Sequence, residues 1–453
     1  MTLSRVLIAN RGEIAVRIAR ACAALGVESV AVVSSADRGS LVTQLADKVL
    51  CIGPGPSRDS YLNIPALVTA ASYTGSNAVH PGYGFLAEEP SFAQACTDAG
   101  LTFIGPPASV MRQVGNKLAA RDLAQEVGVA VAPGSVAVRT AAQADRIAAE
   151  VGYPVLIKAA SGGGGRGMRV VHSPAELGPQ LQTAAAEAEA AFGDGTVYLE
   201  RYIQNARHIE VQLLGDGHGH LIHLWDRDCS IQRRYQKIVE EAPATALPDH
   251  LREQIVSAAI RLGRAARYEN AGTVEFIVDM EREAYYFLEI NARVQVEHPV
   301  TEAVTGVDIV AYQIRIASGD ELGMSQDEVR IDGHAIEARI NAERVPEFSP
   351  SPGRLTQWQA PASDHLRVDT HCFPGYVVPP YYDSLLAKVI GHDTDRSRAV
   401  AALDSGLADL VVAGVETTLP FMRHVLRQRE FQENAFNTAW LPHVIEDFSE
   451  KIR

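Results

Sequence analysis

The chain has 453 residues, 47% apolar and 21% charged, which describes a globular protein of about two to four domains with ample cores. Its formal net charge of −14 argues against nucleic acid or an anionic membrane as the main partner, although a local cleft can still draw in an anion. Five scattered cysteines with no CxxC pair exclude a disulfide framework and a zinc site and fit a reducing cytoplasm. No apolar run reaches the ~18 residues of a membrane span, and MTLSRVLIAN is interrupted too soon by Arg11 to be a signal peptide.

In chain order, RVLIAN reads as a buried strand, GEIAVRIARACAALG as a helix ending at Gly26, and ESVAVV as the next strand. NAVH, the helical SFAQACTDAG and the strand LTFIG follow. Strands alternating with helices predict a parallel, Rossmann-like α/β domain over residues 1–115. The first turn, ANRGEIAV, has one glycine where a dinucleotide fingerprint needs three, so a nicotinamide cofactor is disfavoured. A linking helix takes residues 116–130. Residues 131–203 then read as a smaller unit: strand YPVLIKA, a glycine loop, strand MRVVH, an alanine-rich helix over Pro174 to Phe192, and strand TVYLE. Residues 204–453 hold further strands, a long helix from Asp249 to Arg267, a hairpin and a mixed C-terminal region.

The loop SGGGGRGM, Ser161 to Met168, fits the glycine spacing of both GxGxxG and a P-loop. Met168 and Arg169 stand where a P-loop needs Lys and Ser/Thr, and strands flank the loop on both sides, whereas both of those motifs lead into a helix. A glycine-rich hairpin is instead a flap whose N–H groups can close over phosphates, with Lys158 placed to reach one. The hairpin GTVEFIVDMEREAYYFLEI, with its turn centred on Arg282, sets Glu275 opposite Glu289, their Cβ atoms roughly 5 Å apart. Two carboxylates so placed need a cation, and Mg²⁺ with a nucleotide's phosphates suits hard oxygen donors; Asn291 adds an oxygen on the same side. From Glu289 to Glu297 polar residues take every second position (Glu289, Asn291, Arg293, Gln295, Glu297), the signature of an extended segment with one open face. Of 41 Lys and Arg only six are Lys. A coding bias toward arginine accounts for most of this, but a retained Lys can mark a place wanting a compact ammonium. The segment RDCSIQRRYQKIVEEAPA, read alone, is a charged surface loop as readily as a site.

Taken in order, IANRGEIAVRI, HPGYGFLAE, IKAASGGGGRGM, RHIEVQ, RDCSIQRRYQKIVEEAPA, EINARVQVEHPVTE and RINAE resemble the biotin carboxylases, ATP-grasp enzymes, over essentially the whole chain. The resemblance implies a pre-ATP-grasp domain, a small mobile lid and a C-terminal α+β domain, with ATP between lid and C-terminal domain. It implies nucleotide contacts from Lys117, Lys158, Gly162, Gly163, Gly164, Gly165, Gly167, Met168, Glu200, Ile203, His208 and Gln232. Glu275, Glu289 and Asn291 would hold Mg²⁺ or Mn²⁺. Lys237, Arg293, Gln295, Val296 and Glu297 would form the bicarbonate pocket, with Glu297 as general base. Arg339 would stabilise the biotin enolate, and Tyr83 would lie near biotin. Tyr235 replaces the histidine some members carry before QK, and Ala160–Ser161 replaces Ser–Gly at the start of the flap.

The expected activity is carboxylation of biotin on a separate carrier protein, through carboxyphosphate, as the first half-reaction of an acetyl-CoA or other acyl-CoA carboxylase serving fatty acid synthesis. A carboxyltransferase would be the other partner, and a homodimer is implied. No biotin-attachment segment is found around any of the six lysines. Competing readings are another ATP-grasp carboxylate–amine ligase, the corresponding subunit of a pyruvate carboxylase, a nicotinamide oxidoreductase and a non-catalytic subunit. The last would have lost Lys237, Glu297 or Arg339, and all three are present.

Overall fold

In the computed structural model, described over residues 3–135, 137–138, 140–160 and 168–451, the first apolar run is strand β1 (Arg5–Ile8). Val6 and Ile8 pack with Ile14 and Ile18 of the following helix, Gly12–Ala24, while Leu7 packs with Val30, Val32 and Leu67 on the other side. A strand buried on both faces reads as a continuous apolar run and does not alternate. With β2 (Glu28–Ser34), β3 (Lys48–Gly53), β4 (Ala78–His80) and β5 (Thr102–Phe103) it forms the expected parallel sheet, in the order β3-β2-β1-β4-β5. Side chains crowd the first turn. Buried Arg11 donates from Nε and Nη2 to Asp37 at 2.8 and 3.0 Å, and Asn10 Nδ2 donates to the carbonyls of Pro81 and Tyr83. A turn so furnished offers no open glycine cradle for a pyrophosphate.

The small unit is a three-stranded antiparallel sheet, β7-β6-β8, formed by β6 (Val155–Ala159), β7 (Arg169–Val171) and β8 (Val197–Arg201). The helices Ala141–Val151 and Pro174–Phe192 accompany it, around a core that includes Val155, Ile157, Leu177 and Leu199. The strands flanking the glycine loop do pair antiparallel, as a flap requires. The loop itself, residues 161–167 with Gly162, Gly163, Gly164, Gly165 and Gly167, lies outside the described residues.

The site is carried by an eight-stranded antiparallel sheet. Its strands are β9 (Ala206–Gly215), β10 (Leu221–Arg233), β11 (Gln236–Ala242), β12 (Asn270–Asp279), β13 (Ala284–Asn291), β14 (His334–Asn341), Leu366–Thr370 and Leu385–Asp393. They lie in the order β13-β12-β9-β10-β11-β14, then Leu385–Asp393 and Leu366–Thr370. One face is apolar. Val211, Leu213, Val274 and Phe276 pack on the helix Asp249–Ala265, and Ile336, Ala338, Ile340 and Val389 pack on the helix Arg396–Asp409. The two-residue period of a strand then turns His208 and Glu210 of β9, Glu275 of β12 and Arg339 of β14 to the opposite face.

The β12–β13 hairpin pairs Glu275 with Glu289 and Thr273 with Asn291, as the turn centred on Arg282 predicts. Nearer the turn a bulge shifts the pairing by one, so Phe276 faces Phe287 and Leu288 is the extra residue. One expectation needs correction: the Glu289–Glu297 alternation is not one extended segment with an open face. β13 stops at Asn291, residues 292–297 form a loop, and Glu297 stands at the N-terminus of the helix His298–Thr305. Gln295 and Glu297 are buried, 4% and 1% exposed. The alternation survives only because Ala292 and Val294 anchor the loop in apolar clusters while its polar residues turn to one another. Among the described residues no helix is long and apolar enough to cross a membrane.

Candidate functional site

Four residues stand side by side across four strands: Glu289 on β13, Glu275 on β12, Glu210 on β9 and Arg227 on β10. Cross-strand neighbours on one face lie close enough to interact, so three carboxylates in a row demand cations. Lys237 of β11 meets the need. Its Nζ lies 2.5 Å from Glu210, 2.8 Å from Glu275 and 2.7 Å from Glu297. Burial alone would lower the ammonium's pKa, but the three carboxylates raise it well above its ordinary value. Arg227, fully buried, donates to Glu210, Gln212, Thr273 and Thr301, fixing Glu210 from the other side.

Glu297 sits between two cations, with Lys237 on one oxygen and Arg339 Nη2 2.9 Å from the other. Burial would raise its pKa; Lys237, Arg339 and Arg227 outweigh that and hold it well below the carboxylate range. Arg339 Nη2 is also 2.5 Å from Glu240, whose carboxyl burial pushes up to about 7 even against that guanidinium. Beside Glu240, in direct register, Glu337 is pushed well above the ordinary value by burial.

The loop after β13 is arranged around Arg293. Its Nη1 donates to Gln295 at 2.5 Å, its Nη2 to Asn291 Oδ1 at 3.3 Å, and its Nε to Glu88 of the N-terminal part at 2.8 Å. Gln295 Nε2 in turn donates to Glu275 at 3.3 Å. The structure therefore brings Lys237, Arg293, Gln295, Glu297 and Arg339 together; Val296 presents its carbonyl away, to Lys388. Tyr83 lies at the other side of that lysine, its hydroxyl on Glu13 at 2.6 Å.

Toward the lid, Lys158 Nζ donates to Glu200 at 2.9 Å, and Arg121 binds the same carboxylate. Arg121 stands one helical turn after Lys117 on the helix Lys117–Glu126, so both project from one face. Lys117 Nζ reaches Glu289 at 3.1 Å, which lowers that carboxyl's pKa against the effect of burial. His208 Nε2 lies 2.9 Å from a Glu275 oxygen, and its Nδ1 lies 2.9 Å from Gln232 Nε2. Ile203 follows β8, and Met168 directly precedes β7. Tyr235 forms, with Arg234, the two-residue β10–β11 turn, both at positive φ, the backbone of a type I′ hairpin.

Glu275 and Glu289 face each other as expected, but each engages its own cation. Among the described residues two groups bring their ligand atoms within 4.8 Å of one another: His208, Glu210 and Glu275, and Glu210, Cys229 and Glu297. The donor set fits a hard divalent ion: two opposed carboxylates, the Asn291 amide oxygen, and Glu210 behind them. Sequence reasoning missed Glu210, Arg121, Glu88, Glu240 and Lys388. RHIEVQ did signal Glu210, since a carboxylate on the polar side of an otherwise apolar strand needs a partner; Glu88 and Lys388 carried no local signal.

With this geometry in hand, the similarities to known proteins are specific. Residues 2–111 match the family described as Biotin carboxylase, N-terminal domain, residues 116–325 the Carbamoyl-phosphate synthase L chain, ATP binding domain, and residues 337–443 the Biotin carboxylase C-terminal domain. Biotin carboxylase 1 of Bacillus subtilis is 48% identical over 97% of this chain and 98% of its own length. A pyruvate carboxylase subunit of Methanothermobacter thermautotrophicus is 45% identical over 99% of this chain and 91% of its own. The Campylobacter jejuni biotin carboxylase crystal structure, a β,γ-ATP complex, superposes with a TM-score of 0.95 at 44% identity, covering 97% of this chain and 99% of that one. The biotin carboxylase domain dimer of Hydrogenobacter thermophilus 2-oxoglutarate carboxylase, described with MgADP, ADP and bicarbonate, gives 0.94 at 44% identity, covering 98% and 99%. The chain belongs to the biotin carboxylase family.

Proposed function

We propose that the polar face of the eight-stranded sheet is where this enzyme performs its reaction, the ATP-dependent carboxylation of biotin with bicarbonate, and that its residues divide the work as follows. The observation that carries the assignment is Glu297, buried between Lys237 and Arg339 at the end of the polar loop. Lys237, Arg293 and Gln295 receive bicarbonate, and Glu297 takes its proton. In the resting arrangement two cations make Glu297 a weak base. Incoming anions compete for those cations, and as they withdraw, the burial they were offsetting raises the proton affinity of Glu297. Basicity thus appears when substrate is in place. Bicarbonate then attacks the γ-phosphate to give carboxyphosphate and ADP.

Lys117 and Lys158 hold the transferring phosphates, the flap glycines Gly162, Gly163, Gly164, Gly165 and Gly167 with Met168 cover them, and Glu200, Ile203, His208 and Gln232 complete the nucleotide pocket. Glu275, Glu289 and Asn291 would hold Mg²⁺ or Mn²⁺, which when bound offsets phosphate charge. Carboxyphosphate breaks down to CO₂ and phosphate, phosphate takes the N1′ proton of biotin, and Arg339, released from Glu297, stabilises the enolate-like ring beside Tyr83 while N1′ attacks CO₂ to form carboxybiotin. Residues 1–115, the 116–130 link, the 131–203 lid and residues 204–453 act as the working units.

Biotin is carried by a separate carrier protein, and a carboxyltransferase passes the carboxyl group on, in the cytoplasm. We take the complete carboxylase to serve acetyl-CoA or another acyl-CoA and fatty acid synthesis, working as a homodimer like the Hydrogenobacter domain. The similarity to a pyruvate carboxylase subunit supports a second reading, with a 2-oxo acid as final acceptor; co-purification of the native carboxyltransferase decides between them. The site assignment is tested by Glu297→Gln, which keeps shape but not basicity. Mg·ATP affinity should stay normal while bicarbonate-dependent ATP cleavage falls by about 10²–10⁴-fold. Retained turnover with lost Mg·ATP affinity would make Glu297 a metal ligand instead.

A further inference from the structure

We infer that Lys388 is a positioning residue that fixes the bicarbonate loop and the biotin-side tyrosine relative to one another; the inference rests on the loop reading above. Its side chain is fully buried in the strand Leu385–Asp393. Nζ donates to the Val296 carbonyl at 2.9 Å and lies 3.1 Å from Glu13 Oε1, while Glu13 Oε2 accepts from the Tyr83 hydroxyl at 2.6 Å. Val296 directly precedes Glu297, and Glu13 lies in the first turn of the helix Gly12–Ala24. One ammonium therefore ties the loop that bears Glu297 to the first helix and, through Glu13, to Tyr83. The same lysine is the cross-strand neighbour of Arg339 and of Asp369, whose Oδ2 is 3.9 Å away.

The position explains why lysine is kept in a chain where only six of 41 basic residues are Lys. A carbonyl and a carboxylate meeting at one buried point suit a compact three-donor ammonium, whereas a planar guanidinium needs more room and a different fork. The loop it anchors has left the sheet, so no ladder of strand hydrogen bonds fixes residues 292–297. Displacing a reacting group by about 1 Å is enough to cost ~10²-fold in rate, so an anchor on the residue next to Glu297 bears directly on turnover.

Lys388→Met alone strands Glu13 as a buried charge and should lower both stability and activity. The informative variant is Lys388→Met with Glu13→Gln, which removes both charges and leaves an amide oxygen able to accept from Tyr83. We expect this double variant to regain most of the melting temperature lost by Lys388→Met, Asp369 keeping Arg367 as its partner. Its kcat should be lowered, with KM for bicarbonate and for free biotin still raised about tenfold and KM for ATP within about twofold. Lys388→Arg, which keeps the charge balance, should show the same split and serves if the double variant does not fold. Wild-type kcat and KM values for bicarbonate and biotin in a folded variant would overturn the inference, since a lysine with only a structural role is replaceable without kinetic effect once the fold is restored. Glu297→Gln in the same assay separates the two claims: an active Glu297→Gln enzyme refutes the loop reading itself, whereas an inactive one with normal kcat and KM values in the lysine variants refutes only the role of Lys388.

Discussion

The lid and the sheet solve the problem of buried charge in opposite proportions. At the lid, one carboxylate, Glu200, is shared by two cations, Lys158 and Arg121. On the sheet, one ammonium, Lys237, is shared by three carboxylates, Glu210, Glu275 and Glu297. Each cluster has a shared central group, although on the sheet Arg227 and Arg339 add a second cation to Glu210 and to Glu297, so Glu275 is the carboxylate that relies on Lys237 most. Phosphate oxygens would relieve the cations of the first, and a divalent ion would relieve the carboxylates of the second. Mg·ATP carries both signs, so under the proposed assignment a site divided this way would suit the complex as a whole better than nucleotide or metal alone.

The largest effect should come from removing the shared ammonium. Lys237→Met takes the ammonium from Glu275 and leaves Glu210 and Glu297 to Arg227 and Arg339 alone, and uncovering a buried charge typically costs about 3–5 kcal/mol. Thermal unfolding should register that loss, and bicarbonate-dependent turnover should fall by about 10²-fold or more. The pH dependence gives the sharper test. Glu297 has its folded-state pKa depressed by Lys237 and Arg339, so its contribution to stability is present above the unfolded pKa and lost as pH falls through the folded one. Without Lys237 the folded pKa rises, although Arg339 and Arg227 still hold it down, so the variant's stability should fall less steeply on acidification than the wild type's. The acid limb of any residual turnover should move to higher pH. An unchanged limb would mean Lys237 does not set the protonation of Glu297.

Next in size is the minority partner of the lid. Glu200→Gln leaves Lys158 and Arg121 opposed with no carboxylate between them. Burial tends to lower the pKa of Lys158, and Glu200 more than offsets it, so the wild-type ammonium stays charged. In the variant burial acts with less opposition, the folded pKa falls, and the charged form is lost as pH rises. We expect KM for ATP about tenfold higher at neutral pH and climbing further toward alkaline pH, where the wild type stays flat. Bicarbonate KM should hardly move. Equal changes in both would mean that the two clusters are one electrostatic unit and the contrast between them is false.

Legibility in the sequence follows the same division. Four of the five N-terminal strands, the lid strands and the helix over Pro174 to Phe192 are legible as short apolar runs and a long alanine-rich segment bounded by turn residues, whereas β3, exposed or half-buried along its length, was not among them. The Glu275–Glu289 pairing was readable because a hairpin's register follows from its turn, up to the bulge at Leu288 that no local signal marks. The Glu289–Glu297 row misled as geometry, since alternation in a loop records which side chains are anchored apolar and cannot show where the strand stops. Glu88 and Lys388 were invisible because their meaning lies in partners 205 and 92 residues away, and spacing within a segment carries no information about contacts that long.

Glu88 supplies the smallest predicted effect. Unlike either cluster, Arg293 and Glu88 form a one-to-one pair, with Ala292 N–H also donating to Glu88 at 3.1 Å. Because the Glu88 side chain is 41% exposed, the pair should contribute no more than about 1 kcal/mol to stability. Its value is orientation: Nε is tied to Glu88 while Nη1 and Nη2 point to Gln295 and Asn291, which sets the plane of the guanidinium that would meet bicarbonate. Glu88→Gln keeps one acceptor oxygen but loses the charge that holds the fork. Bicarbonate KM should therefore rise by about threefold, with ATP KM and the melting temperature unchanged. Glu88→Ala, which removes the acceptor as well, should raise it further without altering ATP KM. If both variants instead weakened ATP, the N-terminal contact would be supporting the nucleotide side, and Arg293 would have to be counted with the lid cations and not with the loop.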